Sequence, residues 1–215
     1  MSESPDQPPG HQPPGHQPPE RRPPERGCGL IVSLGSNIDA GRYLPAALAA
    51  IERHPDFAVR GRSPVYASAP VGRTDQPVFF NAALWLQSSL ADPEAIRREF
   101  RIIEADLDRV RDPADPSGPR TIDLDLVLIE AMCCTRPELP DADLFTRWFV
   151  AVPAGDAAPG LMIPGDGRTL AELAAELRPQ SDGEAYGWLP GETVPPHCGQ
   201  PADPPRYVPA VPPRQ

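Results

Sequence analysis

The sequence predicts an α+β domain in the order strand, helix, strand, strand, helix, strand, with one more helix at its C-terminal end. Three observations carry that expectation. Between residues 27 and 178, short apolar runs of strand type alternate with stretches whose apolar residues recur at helical spacing. The 33 prolines crowd into the ends, nine in residues 1–26 and ten in residues 179–215. The 215 residues, 40% hydrophobic, suffice for one packed core and hardly for two. The expected organisation is a disordered Pro-rich tail over 1–26, one domain over 27–178, and a second disordered Pro-rich tail over 179–215.

The elements follow in order. CGLIVSLG (28–35) is a short apolar strand that ends in glycine. In residues 40–54, Leu44, Ala47, Leu48 and Ile51 fall on one helical face. Residues 57–66 read as extended, and ASAPVGRTDQP (67–77) as a long loop. VFFNAALWLQSS (78–89) is a strand. Residues 92–107 form a helix, with Asp92 as N-cap and Pro93 at the first helical position. A second long loop covers 108–119, the strand TIDLDLVLI follows, and a last helix spans 168–178. This βαββαβ order is that of a ferredoxin-like antiparallel sheet. Long ordered loops in so small a domain are commonly functional.

Composition narrows the chemistry. The net charge of −10 disfavours a general nucleic-acid binder. There is no lysine, so a P-loop lysine and a Schiff base are both excluded. Any phosphate site must use arginine forks, backbone N–H groups or metal. Cys28, Cys133, Cys134 and Cys198 lack C-x-x-C spacing and read as reduced thiols. With no apolar signal region and no membrane-length run, the expected location is the cytoplasm.

GPRTIDLDLVLIE (118–130) poses the sharpest question. Strict alternation puts Ile122, Leu124, Leu126 and Leu128 on a core face, and Asp123, Asp125, Val127 and Ile129 on the other. Two carboxylates about 7 Å apart on one strand repel, and burying either unpaired is costly. A half-exposed strand with two solvated aspartates is the plain alternative. Arg109, Arg111 and Arg120, just upstream, favour a site for Mg²⁺ and a nucleotide instead. GSN (35–37) could offer backbone N–H groups to a ligand, though a plain turn explains it equally. Asn81 and Phe79 share a strand face and could frame a flat heterocycle.

Taken together, LGSNI (34–38), VYASAPVG (65–72), DQPVFFNAA (75–83), IEADLDRVR (103–111), GPRTIDLDLVL (118–128) and RWFVAVP (147–153) resemble one family. It is the 6-hydroxymethyl-7,8-dihydropterin pyrophosphokinase family of folate biosynthesis. The resemblance covers residues 28 to about 178 and implies a ferredoxin-like fold. It also implies transfer of pyrophosphate from ATP to the pterin hydroxymethyl group, giving AMP. Carried over, Asp123 and Asp125 would hold two Mg²⁺ ions, and Arg109 and Arg120 would be the catalytic arginines. Glu104, Arg111, Leu126, Arg136 and Arg147 fall on nucleotide-binding positions. Val71, Phe79, Asn81 and Phe149 fall on pterin-binding positions. The implied partners are ATP and a dihydropterin, with the Pro-rich tails open to a partner protein.

The chain also departs from the family pattern. Pro116 and Ser117 replace a tryptophan before GPRT, Arg101 a glutamine, and Asp108 a glycine. Asp141 replaces a histidine that normally contacts ATP, and puts negative charge beside a triphosphate. Two alternatives stay open: a divergent kinase for a related pterin, and a non-catalytic pterin- or nucleotide-binding module with partner-binding tails.

Overall fold

The structure, a computed structural model, describes residues 27–130, 139–178 and 185–188. The N-terminal tail, Arg136, Cys133, Cys134 and Cys198 lie outside them. The sheet is assembled around β4 (Phe79–Ser88). β1 (Cys28–Ser36) pairs along the whole of one side of β4. On the other side two short strands share its edge. β2 (Phe57–Arg62) lies against residues 84–88, and β3 (Val65–Ser68) against residues 79–81. β5 (Asp123–Ile129) extends the sheet beyond β1, and β6 (Ala185–Tyr186) beyond β3. The order is β5-β1-β4-β3-β6, and all of these pairings are antiparallel.

The extended stretch expected over 57–66 is thus two strands broken at Ser63–Pro64. Proline has no N–H to give the ladder. Beside that break the Ser63 hydroxyl takes the place of a backbone carbonyl and accepts the Ala83 N–H at 2.9 Å, while Ser63 N–H donates to Ala83 O at 3.0 Å. Counted as one bent strand, β2 and β3 restore the expected βαββαβ order.

Two apolar layers cover the sheet. On one face, α1 (Ala40–Arg53) and α2 (Pro93–Asp106) pack Leu44, Ala47, Ile51, Ile96 and Phe100 against Leu30, Val32, Leu34, Leu84 and Leu124. The four apolar residues expected to face the core from α1 do so. Asp92 caps α2 by accepting the Ala95 N–H at 3.2 Å, with Pro93 in the first turn. The opposite face is covered by α4 (Trp148–Ala157) and α5 (Leu170–Leu177), which follow the single turn α3 (Asp143–Thr146). α5 is the expected terminal helix. α4 escaped the sequence reading because it is apolar on nearly every side and so shows no amphipathic period. It lies directly on β2: a Cβ on Gly61 would come within 2.2 Å of Ala157 O.

Two expectations need correction. Strict alternation along β5 fails, because a bulge interrupts its pairing with β1 between Ile31 and Val32. Leu124 and Leu126 face α1 and α2, but Leu128 joins Val127 under α4 and α5, and Ile129 returns to the first face. An extra residue in one strand shifts its alternation. The C-terminal boundary at 178 is also too early. Residues 185–188 join the fold: β6 pairs with β3, and Trp188 is 5% exposed, its indole N–H donating to Ser63 O at 2.6 Å. That bond satisfies a carbonyl beside the Pro64 break. Trp188→Ala should therefore lower the unfolding free energy by about 3 kcal/mol, measured by urea denaturation. An unchanged midpoint would show that the C-terminal segment is not part of the cooperative unit.

Candidate active site

The site lies at one end of the sheet, where three strands present side chains to the same face. In register, Gly35 of β1 pairs with Asp123 of β5 on one side and with Asn81 of β4 on the other. Asp123 and Asn81 therefore stand about two strand spacings, roughly 10 Å, apart. Between them is a residue with no side chain. A Cβ on Gly35 would sit 3.6 Å from Asn81 Oδ1, so the glycine leaves a bare floor between a carboxylate and an amide.

Asp123 is held by two arginines, one in the second long loop and one just after it. Arg120 forms an ion pair with it, and Arg109 Nη2 lies 3.6 Å from Asp123 Oδ1. The path to Arg109 starts at the end of α2. Asp108 adopts a left-handed conformation, φ 62°, which explains why a glycine suits that position. Asp108 fixes the turn by accepting the Tyr43 hydroxyl at 2.8 Å, and Arg42 lies 3.6 Å away. Arg109 N–H then returns to Glu104 O at 3.0 Å. The Arg109 side chain is 7% exposed, yet its Nε and Nη1 have no hydrogen-bond partner. Burial lowers its pKa and the neighbouring Asp123 opposes that, but a guanidinium stays charged. Two unpaired buried guanidinium nitrogens are costly unless an anion meets them. Thr121 Oγ1 is likewise buried without a partner.

Asp125 is exposed to solvent at the edge of this group. Partial loss of hydration, then repulsion from Asp123, Glu104 and Asp141, push its pKa up to about 7. Glu104 is buried, and both its oxygens are engaged. Oε1 accepts the Leu124 N–H at 2.8 Å, and Oε2 accepts Arg111. Burial raises the Glu104 pKa, while those two bonds oppose the rise. Glu104 thus ties α2 to the strand that carries the aspartates.

On the other side, Asn81 is 6% exposed and donates to Ser68 Oγ at 2.9 Å and Tyr66 O at 3.4 Å. Both amide N–H groups are spent within the protein, which leaves Oδ1 as the acceptor. Phe79 lies two residues before Asn81, and the Arg120 guanidinium sits 5.6 Å over its ring. Phe149 comes from α4, on the face that Asn81 also points to, with Arg147 5.7 Å over its ring. Val71 is 53% exposed on the first long loop, beside the turn at Gly72, φ 84°.

The remaining expected residues are placed less directly. The Leu126 side chain is 4% exposed in the core, so only its backbone could meet a nucleotide. Arg147 pairs with Asp143 at 2.7 Å. Asp141 turns its Oδ1 to the Asp143 N–H at 2.8 Å and so fixes the start of α3. Arg101 is exposed on α2. The GSN stretch does not offer the Asn37 and Ile38 N–H groups to a ligand: both donate to Arg120 O, each at 3.1 Å. Sequence reasoning also missed Gln76, which bridges the two long loops by donating to Ser117 O at 3.2 Å, and the Arg73–Asp115 ion pair between the same loops. Single polar residues in loops carry no periodic signal that would have marked them.

The Asp125 shift makes a stability prediction. Its folded pKa lies above the unfolded value of 3.8, so its contribution is fully present below that value and lost as pH rises through about 7. Asp125→Asn should therefore raise the Tm of the ligand-free protein at pH 8, with the gain shrinking as pH falls toward 4. Equal gains at both pH values in thermal unfolding would contradict the crowding described above.

Residues 31–159 match the family model for 7,8-dihydro-6-hydroxymethylpterin-pyrophosphokinase (HPPK). A 2-amino-4-hydroxy-6-hydroxymethyldihydropteridine pyrophosphokinase of Pseudomonas aeruginosa is 42% identical over 147 residues, covering 67% of this chain and 88% of the relative. One from Methylorubrum extorquens is 37% identical over 151 residues, covering 69% and 92%. Among solved structures, HPPK-DHPS of Plasmodium falciparum with pteroate matches with a TM-score of 0.53 at 12% identity. That match covers 72% of this chain and 45% of the other, and at such identity it speaks for the fold alone. The strand order, the paired aspartates with their arginines, and the extent of these matches lead to one conclusion: the chain belongs to the HPPK family.

Proposed function

We propose that this chain transfers the terminal diphosphate of ATP to the hydroxymethyl group of 6-hydroxymethyl-7,8-dihydropterin and releases AMP, the reaction of its family. The observation that carries this reading is Arg109, a buried cation with two unpaired nitrogens beside Asp123. Those nitrogens suit a transferring phosphoryl group, whose charge must be met by donors already in position.

In the step itself, the pterin hydroxyl oxygen bonds to the β-phosphorus. The bond from that phosphorus to the bridging oxygen of the α-phosphate breaks, AMP leaves with that oxygen, and the hydroxyl proton passes to solvent. Arg109 and Arg120 would hold the charge that builds on the transferring group and on departing AMP. Asn81 would accept a donor of the pterin edge through Oδ1, with Phe79 and Phe149 against the ring faces and Val71 at the rim. Arg120 would leave the Phe79 ring as the pterin takes its place. Arg111, Arg147, the Leu126 backbone and Arg136 would line the nucleotide, with Glu104 acting through Arg111.

The family uses Mg²⁺ with ATP, and the donor set here fits it. Among the described residues no group of three or more His, Cys, Asp or Glu could hold a metal on its own. Two hard carboxylates suit Mg²⁺, which completes its shell with phosphate oxygens and water. Asp123 and Asp125 would hold the two ions, which when bound neutralise charge on the phosphates. The Pro-rich ends remain candidate partner-binding segments, and a cytoplasmic setting fits the cysteine pattern. Among the described residues no helix is long and apolar enough to cross a membrane.

With ATP, Mg²⁺ and the pterin, AMP should form only when the pterin is present. Asp123→Ala with Asp125→Ala should abolish it, and Arg109→Ala should lower kcat about a hundredfold. A folded protein that binds the pterin without forming AMP would refute the proposal, and so would full activity in Arg109→Ala.

A further inference from the structure

We infer that Asn37 is a positioning residue that holds the Arg120 turn in register with the strand carrying Phe79 and Asn81. The inference rests on the functional reading above for the role of Arg120, but on the structure alone for the contacts. Asn37 follows β1 directly and is 5% exposed. Its Oδ1 accepts the Arg120 N–H at 2.7 Å, and its own N–H donates to Arg120 O at 3.1 Å. Arg120 is thus gripped at both main-chain polar groups by one residue. The grip lies on the backbone, so the guanidinium is free to reach Asp123 or Phe79.

The other end of the same amide reaches the first long loop. Nδ2 donates to Gln76 Oε1 at 3.2 Å and to Pro77 O at 3.3 Å, two residues before Phe79. Gln76 in turn donates to Ser117 O at 3.2 Å, three residues before Arg120. The contacts close a ring from Asn37 through Gln76 and Ser117 to Arg120 and back. An amide is required at position 37, because the site needs one acceptor and two donors on a short, rigid stem. Aspartate would keep the acceptor but set a carboxylate against Gln76 Oε1 and Pro77 O. Alanine would leave the Arg120 N–H and Pro77 O without their partner. Because the grip spans both substrate subsites, its loss misaligns them without removing a group that touches either substrate.

Alignment errors of this kind appear in turnover, and displacements near 1 Å cost on the order of a hundredfold. We therefore expect Asn37→Ala to lower kcat at least about tenfold, with both KM values changing less than about threefold. Asn37→Asp, which keeps the Arg120 acceptor, should fall between it and the parent. The decisive arm is the double variant. If Asn37 acts through Arg120, Asn37→Ala should cost little further kcat in an Arg120→Ala background, whereas a general structural loss would add in full. A second readout needs no activity: hydrogen exchange of backbone amides over 118–121 should speed at least about tenfold in Asn37→Ala, while β1 and β4 keep their protection. If Asn37→Ala proves too unstable, Asn37→Asp and Gln76→Ala carry the same two readouts. Unchanged exchange at 118–121 overturns the inference, as does a fully additive loss of kcat. Faster exchange in a parent protein that makes no AMP would uphold the grip and refute the enzymatic reading instead.

Discussion

Four carboxylates, Asp123, Asp125, Glu104 and Asp141, crowd one end of β5, and their mutual repulsion is the constraint that the surrounding architecture answers. Each meets it differently. Glu104 is neutralised by Arg111 and by a backbone N–H of the strand beside it. Asp141 is turned into a helix start. Asp123 takes two arginines. Asp125 alone carries a large upward pKa shift while facing solvent. A sheet that needed only stability would not gather these groups, since a strand so apolar could have ended in uncharged residues. The cost is sensible where cations arrive with a ligand.

The absence of lysine sharpens this arrangement. Every fixed positive charge near the carboxylates is a guanidinium, which keeps its charge under burial that would neutralise an ammonium. Arg109 can therefore sit almost wholly within the protein. Its planar fork also leaves specific nitrogens unpaired, so the site has direction as well as charge.

Much of this was legible in the residues. The Asp92–Pro93 start of α2 and the apolar face of α1 follow from local rules and stand where they were expected. Asp123 and the two arginines Arg109 and Arg120 also lie together. What could not be read depends on distant partners. The β5 bulge is set by pairing with β1, not by the sequence of β5. α4 is apolar all round because neighbours enclose it. Trp188 looked like part of a proline-rich tail, and only the gap at Pro64 gives it a place. The role of Asn37 stayed open between a ligand contact and a plain turn because its partners lie 39 to 83 positions away.

The two long loops are also fastened to each other by Arg73 and Asp115, side chains 42% and 36% exposed. Water and dissolved ions compete directly for a contact so open. Rising ionic strength would therefore loosen this tie between the loops, while the buried pairing of Arg109 with Asp123 is screened far less.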